Sequence, residues 1–495
     1  METTGSRVAA GPGVVEVRSI DYVPLAERHG QVWYQGPFWF MGNFVLATLA
    51  VGFIGPELGL SLPWTILAIF IGCLFGTFFM AFHAVQGPRM GLPQMIQSRA
   101  QFGYQGAVFP LLAVVFVYVG FNVFDTIFAA QGLDTVANAS KWVWYPLITV
   151  VAIVIAVVGH DLLHFVQRWL SYLSILVFGI FTVGALTTLN LHHAASAGGF
   201  SGTLFLLQTG VCASYQISYA PYVSDYSRYL PERTRAWPVI CWVYAGAALS
   251  AIWLMLLGAL LGAGVASFDP IGTLRSVGND FVGGFGTFLV LVTVPANITV
   301  MAVNMYGAML TGATAVDAFK QQQPTVRLRV AGVVVIGAIG FVVALAIPAS
   351  FLTSFNNFLL LMLYFLVPWT AVNLVDFYFV RRGHYAITEI FNPRGLYGRW
   401  GWRGITAYFV GLCAMIPFMS TTIWTGPAAS AMHGADISFL VGLPVAGGLY
   451  YLLTRNLDLA AERAAEQRSR RALEGLGVAP STIHPSPQPG LEGRA

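Results

Sequence analysis

Twelve apolar segments, each long enough to cross a lipid bilayer, alternate with short polar connections along most of this chain. They are predicted at residues 38–58, 63–83, 108–130, 142–159, 169–190, 203–222, 237–263, 281–312, 328–347, 351–380, 404–424 and 436–454. Of the 25 Lys and Arg residues, only Lys141 and Arg275 fall on one side of the predicted membrane. Because basic residues concentrate in cytoplasmic connections, the pattern predicts a multi-pass plasma-membrane protein with both termini in the cytoplasm.

The composition restricts the classes of function. The chain is 57% hydrophobic and 9% charged, against about 25% charged residues in soluble domains, so no sizeable soluble domain is expected. The sequence has no glycine-rich phosphate-binding loop, no HExxH and no evident nucleophile arrangement, which argues against an ATP-driven pump or an embedded enzyme. The net charge of +4 comes from cytoplasmic connections and favours contact with anionic lipid over nucleic acid. The four cysteines lack metal-ligand spacing, so no disulfide, metal site or cofactor is expected.

The spans divide the chain into two comparable halves. The predicted parts are a cytoplasmic N-terminal tail (1–37), five helices (38–190), an outer connection (191–202), five further helices (203–380), a loop with two last helices (381–454), and a cytoplasmic C-terminal tail (455–495). The two sets of five begin on opposite sides of the membrane, as an inverted-repeat transporter requires. We interpret both tails as tethers, because residues 480–489 are too rich in Pro, Ser and Gly to fold.

The first helix of each half contains residues that interrupt helices. Gly42-Asn43 lies one turn inside the first span, and the sixth span carries the polar run SYQISYAPYVSD, with Gln216 and Pro221. Backbone groups freed at that depth must bind protein, water or ligand, and such breaks mark substrate sites in repeat transporters. Alternatively these are only kinks, because Gly and Pro are common in membrane helices.

Asp125 is the most deeply placed acid, and Phe121 lies one turn before it. An acid at the centre of a membrane helix costs about 2.5–3.5 kcal/mol by insertion scales, so its presence needs an explanation. As a carboxylate it could accept two N–H donors from a planar ligand, and when protonated it could carry a coupling proton. The alternative is a hydrated acid near the outer end, or one bonded to a neighbouring helix. Asp376, just before Arg381, is interpreted as one member of a structural ion pair.

The eighth span carries Asn297 and Asn304, which are seven residues apart and therefore on one face of a helix. Thr299 lies between them. A buried asparagine often only bridges two helices, so both a ligand contact and a bridge remain open for Asn304.

Several longer strings carry a family resemblance. They are SIDYVPLAERHG (19–30), WFMGN (39–43), GPRMGLPQMIQSRAQFG (87–103), APYVSDYSRYLP (220–231), NMY (304–306) and DFYFVRRGHY (376–385). Together they cover nearly the whole membrane region in order. In these strings the chain resembles the nucleobase-cation symporter family, also called the purine-cytosine permease family.

The resemblance implies an all-α, LeuT-type fold of 12 transmembrane helices, with ten core helices in two inverted repeats of five, plus two C-terminal helices. It implies cation symport of a nucleobase or related heterocycle held between aromatic rings of helices 3 and 6. The family positions fall on Phe121 and Asp125 in helix 3, Tyr219 in helix 6 and Asn304 in helix 8. We add Gln216, and Asn43 as support for the interrupted helix 1.

Departures from the family pattern bear on substrate and coupling ion. Relatives carry Trp, and four residues later Gln or Asn, where this chain has Phe121 and Asp125. Phe121 still offers a ring face for stacking. The Asp125 carboxylate, however, favours a ligand edge rich in N–H groups, such as that of guanine or cytosine. Uracil, allantoin, hydantoin, pyridoxine and thiamine precursors remain alternatives. Sodium-coupled relatives place a Ser-Thr pair where this chain has Ile298-Thr299, so a proton is the favoured coupling ion, with Asp125 and Thr299 as candidate ion residues. A channel or sensor would show a polar stripe along several spans or a signalling domain, and neither is visible.

Overall fold

The computed structural model describes residues 21–158, 160–196, 198–265, 269–320, 325–348 and 351–475, and these fold almost entirely into helices. The first eleven are α1 (Gln35–Gly42), α2 (Leu46–Glu57), α3 (Leu62–His83), α4 (Gln86–Met90), α5 (Gln94–Gln97), α6 (Arg99–Phe102), α7 (Val108–Val136), α8 (Lys141–Val158), α9 (His160–Thr188), α10 (Leu191–Ser196) and α11 (Gly202–Ile217). The others are α12 (Val223–Ser227), α13 (Ala236–Gly264), α14 (Pro270–Phe281), α15 (Phe285–Asp317), α16 (Val326–Ala346), α17 (Phe351–Val375), α18 (Ile387–Ile390), α19 (Trp402–Met415), α20 (Pro427–Ala431), α21 (Ser438–Thr454) and α22 (Leu459–Gly475). Single 3₁₀ turns lie at Leu25–Glu27, Val32–Tyr34, Ala220–Tyr222 and Ile416–Phe418, and a π-helical turn continues α17 at Asp376–Val380.

The helices have the length and composition of membrane spans. Within the described ranges, six helices are long and apolar enough to cross a bilayer, and α1 with α2 forms a seventh span bent by 59°. Four shorter apolar helices lie in α8, α9, α19 and α21. The prediction of an all-helical, multi-pass membrane protein is therefore confirmed.

The first predicted interruption lies between α1 and α2. Asn43 ends α1, and Val45 has an extended backbone (φ −131°, ψ 156°). The amide of Phe44 donates to the Met41 carbonyl at 3.0 Å, and that of Val45 donates to the Asn43 carbonyl at 2.9 Å. Local turns thus replace helical hydrogen bonds at this break, as Gly42-Asn43 predicts.

The second predicted interruption follows α11. This helix ends at Ile217, a 3₁₀ turn at Ala220–Tyr222 follows, and α12 resumes at Val223. Pro221 lacks an amide hydrogen and cannot continue the helical ladder. Both halves of the chain therefore begin with a broken helix, as expected from the sequence.

Glycines bring α2 and α13 into close contact. A Cβ atom on Gly52 would lie 2.0 Å from the Met255 carbonyl oxygen, and one on Gly258 would lie 2.0 Å from that of Leu49. Only glycine permits two helices to pack at this separation. The contact fixes α2, the second segment of the first broken helix, against α13.

The C-terminal segment corrects one expectation. The interpretation of residues 455–495 as a tether is wrong for α22, because its Glu462 forms an ion pair with Arg381. Arg381 also pairs with Asp376, as predicted. Residues 1–20 and 476–495, including the Pro-rich run, lie outside the described residues.

Candidate functional site

A cavity of about 780 Å³ lies at the breaks in both halves of the chain. Four of the predicted site residues line it: Phe121, Asp125, Tyr219 and Asn304. Its other lining residues are Trp33, Tyr34, Gln35, Pro37, Phe38, Trp39, Met41, Gly42, Val45, Ala47, Tyr118, Tyr172, Tyr215, Tyr222, Tyr226, Val300 and Val303. The set is mainly aromatic and contains no Lys or Arg. It suits a flat, apolar-faced ligand with a polar edge.

The α7 wall carries Phe121. Its ring is only 7% exposed and meets two rings edge-on, Tyr215 at 5.7 Å and Phe358 at 5.4 Å between centroids. Edge-to-face contacts of this kind hold a ring in one orientation. Phe121 therefore forms a rigid side of the cavity.

Tyr219 belongs to the broken segment after α11 and ties it to the other break. Its hydroxyl donates to the Gly42 carbonyl at 3.1 Å, which satisfies a backbone group that the end of α1 leaves open. One helical turn earlier, Tyr215 shares a 2.6 Å hydrogen bond with the hydroxyl of Thr48 on α2. The two broken helices are thus joined along the cavity wall.

Asp125 supplies the only carboxylate among the cavity-lining residues. The residue is 2% exposed, and its main-chain carbonyl accepts a hydrogen bond from Asn297 Nδ2 at 2.9 Å. The side-chain Oδ1 atom is buried without a hydrogen-bond partner in the described part of the chain. A buried carboxylate oxygen without a partner is costly, so a proton or a ligand N–H group at Oδ1 would relieve that cost.

The side chains of the two asparagines of α15 have different surroundings. Asn304 lines the cavity, and its side chain makes no hydrogen bond within the described ranges, whereas the side chain of Asn297 donates to the main-chain carbonyl of Asp125. Asn304 therefore keeps both its donor and its acceptor available for a ligand.

Three predicted residues do not line the cavity. Asn43 Nδ2 donates to the Ala247 carbonyl and to Ser250 Oγ, both at 3.0 Å, and Gln216 Nε2 donates to Asn43 Oδ1 at 3.4 Å. They hold the first break to α13 from behind the wall. Thr299 Oγ1 donates to the Ala296 carbonyl of its own helix at 2.7 Å.

Sequence reasoning missed a set of tyrosines. Tyr118 of α7 stacks on Tyr222 with centroids 5.5 Å apart and ring planes at 25°, and both line the cavity. Tyr118 precedes Phe121 by three residues, and Tyr222 follows Tyr219 by three. The helical spacing of three or four residues from the predicted ring positions would have found them.

Comparison with known proteins identifies the family to which this chain is similar. The profile of the family described as permease for cytosine/purines, uracil, thiamine, allantoin matches residues 22–442. A putative purine-cytosine permease of Bacillus subtilis, YxlA, is 38% identical over 448 residues, which is 89% of this chain and 96% of that protein.

Solved structures show the same fold. The inward-facing conformation of Mhp1 superposes with a TM-score of 0.74 at 18% identity, over 94% of this chain and 98% of that one. Mhp1 in a closed conformation with bromovinylhydantoin bound, described as a nucleobase-cation-symport-1 family transporter, gives 0.71 at 17% identity, over 92% and 99%. The chain thus belongs to the family of permeases for cytosine/purines, uracil, thiamine and allantoin, and it is a transporter and not an enzyme.

Proposed function

We propose that this protein is a secondary transporter that imports a nucleobase or related nitrogen heterocycle of the cytosine/purine class, by cation symport with alternating access. The observation that carries the proposal is the Asp125 carboxylate, whose Oδ1 atom has no hydrogen-bond partner among the described residues, in a cavity that Phe121 and Tyr219 also line. The purine-cytosine permease name of the Bacillus relative and the hydantoin bound to Mhp1 point to the same class of ligand.

The cavity offers complementary chemistry for such a ligand. Ring faces of Phe121 and Tyr219 stack on a planar heterocycle, the Asp125 carboxylate accepts N–H donors, and the Asn304 amide both donates and accepts. A ligand edge rich in N–H groups satisfies the carboxylate best, which favours guanine or cytosine, each with an exocyclic amino group, over uracil, which has none.

The proposed architecture has 12 membrane helices, in two inverted sets of five followed by two more. The sidedness of the basic residues supports a plasma-membrane protein with both termini in the cytoplasm. The two broken helices, α1–α2 and α11–α12, begin the two sets. Their breaks meet at the cavity, where a repeat transporter places its substrate.

The conformation is consistent with an inward-open state. The cavity extends to Trp33 and Gln35 at the N-terminal end of α1, which this topology places toward the cytoplasm. On the opposite side, Gln208 Nε2 donates to the Val51 carbonyl at 3.1 Å and closes α11 against α2. Alternating access would open this outer contact and close the inner end.

A proton is the proposed coupling ion. Asp125 is a cavity carboxylate that can bind and release one, whereas Thr299 does not line the cavity. A sodium site would need several oxygen ligands directed at one point.

The test is saturable uptake of labelled heterocycles into cells that overproduce the protein, compared with cells carrying the empty vector. The panel includes guanine, cytosine, uracil, allantoin, hydantoin and pyridoxine. We expect competition to be strongest for guanine or cytosine. Uptake of none of these compounds would refute the proposal, and strong selectivity for allantoin, hydantoin or pyridoxine would move it to another substrate of the family.

Removal of either stacking ring should weaken substrate affinity. Phe121→Ala and Tyr219→Ala are each expected to cost about 1–3 kcal/mol of binding, the range for a base stacked on an aromatic ring. Tyr219→Phe keeps the ring and should retain most of the affinity. The measurement is the concentration dependence of uptake, with Phe109→Ala, whose ring packs on Phe409 away from the cavity, as control. Wild-type affinity in both alanine variants would exclude stacking at these rings.

The two asparagines of α15 should respond differently. Asn304→Ala is expected to weaken substrate binding by about 1–3 kcal/mol, because a buried ligand group loses its partner. Asn297→Ala removes the bond to the Asp125 carbonyl and should mainly lower stability. Uptake affinity and thermal unfolding of the two variants separate these effects. Normal transport by Asn304→Ala would make Asn297 the better ligand candidate.

A further inference from the structure

A second cavity, of about 580 Å³, lies at the end of the helix bundle where the N-terminal segment and α22 meet. It shares no lining residue with the first cavity. Its walls come from the N-terminal segment, α4, the connection before α13, the π-helical turn after α17, the loop that follows it, and α22. Six separate parts of the chain thus converge on one chamber.

α22 forms one wall of this chamber in a fixed position. Its Glu462 accepts two hydrogen bonds from Arg381, at 2.8 and 3.0 Å. Two helical turns further along α22, Ser469 Oγ accepts a hydrogen bond from the main-chain amide of Thr388 at 3.0 Å. Bidentate arginine–carboxylate pairs are geometrically specific, so the chamber has a defined shape.

The cavity lining carries three arginines and two glutamates, an excess of one positive charge when His384 is neutral. Glu466 pairs with His384 at 3.0 Å, and Glu232 pairs with Arg470. Arg89 and Arg382 also line the cavity, and the side chain of neither has a hydrogen bond or ion pair within the described part of the chain. The chamber therefore presents two guanidinium groups that no side chain neutralises there.

Arg382 occupies a backbone position that favours a different residue. Its φ is 53°, in the left-handed region, and Gly383 follows at φ 80°. Glycine or asparagine adopts this conformation at lower cost. The backbone conformation of this turn therefore does not account for an arginine at position 382.

We propose that this cavity binds a phosphate-bearing anion between Arg89 and Arg382. Planar guanidinium groups match phosphate oxygens with two parallel hydrogen bonds, and two of them balance a dianion. A soluble phosphate compound and a lipid headgroup share this chemistry. A soluble compound can reach the site because Arg89 and Arg382 are exposed. A lipid headgroup can reach it because Trp237 and Phe379, adjacent to lining residues Ala236 and Tyr378, are 68% and 64% exposed, as is common for aromatic residues at a membrane surface.

The test measures binding to the purified, delipidated full-length protein at constant ionic strength. The probes are inorganic pyrophosphate and short-chain phosphatidylglycerol, with chloride and short-chain phosphatidylcholine as references. We expect the wild-type protein to bind at least one probe above its reference, seen as a concentration-dependent rise of the unfolding temperature. Binding of pyrophosphate alone identifies a soluble source, and binding of phosphatidylglycerol alone identifies a lipid.

Variants separate a binding role from a structural one. Arg89→Gln combined with Arg382→Gln should weaken binding about tenfold or more, since each charged hydrogen bond is lost. Arg382→Gly relieves the left-handed backbone, so it should keep or raise stability while still weakening binding. Arg394→Gln, on the same loop but outside the lining, is the matched control. Binding of neither probe, or binding retained within twofold in the double variant, would overturn the proposal, and neither result depends on which heterocycle is transported.

Discussion

The Arg381→Gln substitution should lower the free energy of unfolding by about 3–5 kcal/mol, the cost of breaking a buried ion pair from one side. Arg381 lies between two acids: it pairs with Asp376, which is fully buried, and with Glu462, whose side chain is 10% exposed. Glutamine cannot neutralise either carboxylate. The measurement is denaturant unfolding of the detergent-solubilised protein followed by intrinsic fluorescence.

The surroundings of Asp376 explain why the loss should be large. Its carboxylate also accepts hydrogen bonds from Tyr385 and Tyr450, each at 2.8 Å, and from Gln101 at 2.6 Å. These groups orient the carboxylate but carry no full positive charge. Without the guanidinium, the charge of Asp376 stays buried with only neutral donors.

Two further variants control this expectation. Arg394→Gln makes the same change at an exposed position and should stay within about 0.5 kcal/mol of wild type. Glu462→Gln keeps the pair with Asp376 but weakens the attachment of α22, so trypsin should cleave more rapidly at Arg463 and Arg468. If Arg381→Gln unfolds like the wild type and α22 stays protected in Glu462→Gln, the ion pairs of Arg381 do not hold α22 against the π-helical turn that follows α17.

The sequence predicted the elements that local chemistry determines. Gly42-Asn43 and Pro221 interrupt helices because of their own backbone properties, so both breaks could be located in advance. Helical spacing also placed Phe121 and Asp125 close together on α7. These features depend on residues within one or two turns, and the structure places them as expected.

Tertiary contacts were harder to foresee. The spacing of Asn297 and Asn304 puts both on one face of α15, yet only the position of α7 decides that Asn297 meets the Asp125 backbone while Asn304 faces the cavity. Similarly, the bonds from Asn43 to α13 span more than 200 residues. No local pattern identifies such a partner.

The docking of α22 illustrates the same limit for charged segments. Its sequence alternates acids and arginines, which is typical of a solvated helix. Glu462 is nevertheless nearly buried, because Arg381 lies 81 residues away in sequence but adjacent in space. The charge pattern alone gave no sign of which acid would find a partner.

Asp125→Asn should abolish accumulation of substrate driven by a pH gradient while leaving measurable binding. The substitution keeps the size of the side chain but removes the group that can take up a proton. Asp125 is the carboxylate that lines the central cavity, and its Oδ1 atom has no partner among the described residues. Burial favours the protonated form of Asp125, whereas a bound N–H edge favours the charged form, so proton and substrate act on this group in opposite senses. Coupling therefore requires the proton to bind before the cavity closes and to leave on the inner side, with Asp125 hydrated alternately by the outward and inward cavities.

Reconstituted vesicles with an imposed gradient give a direct measurement. A difference of one pH unit corresponds to about 1.4 kcal/mol per proton, so symport of one proton per substrate allows about tenfold accumulation by the wild-type protein. Asp125→Asn should only equilibrate substrate across the membrane. Asp134→Asn, at the exposed C-terminal end of the same helix, where the Asp134 carboxylate accepts the Ala139 amide, is the matched control and should accumulate normally. Gradient-driven accumulation by Asp125→Asn would show that the coupling proton binds elsewhere, and uptake by the wild-type protein under a sodium gradient alone would show that the coupling ion is not a proton.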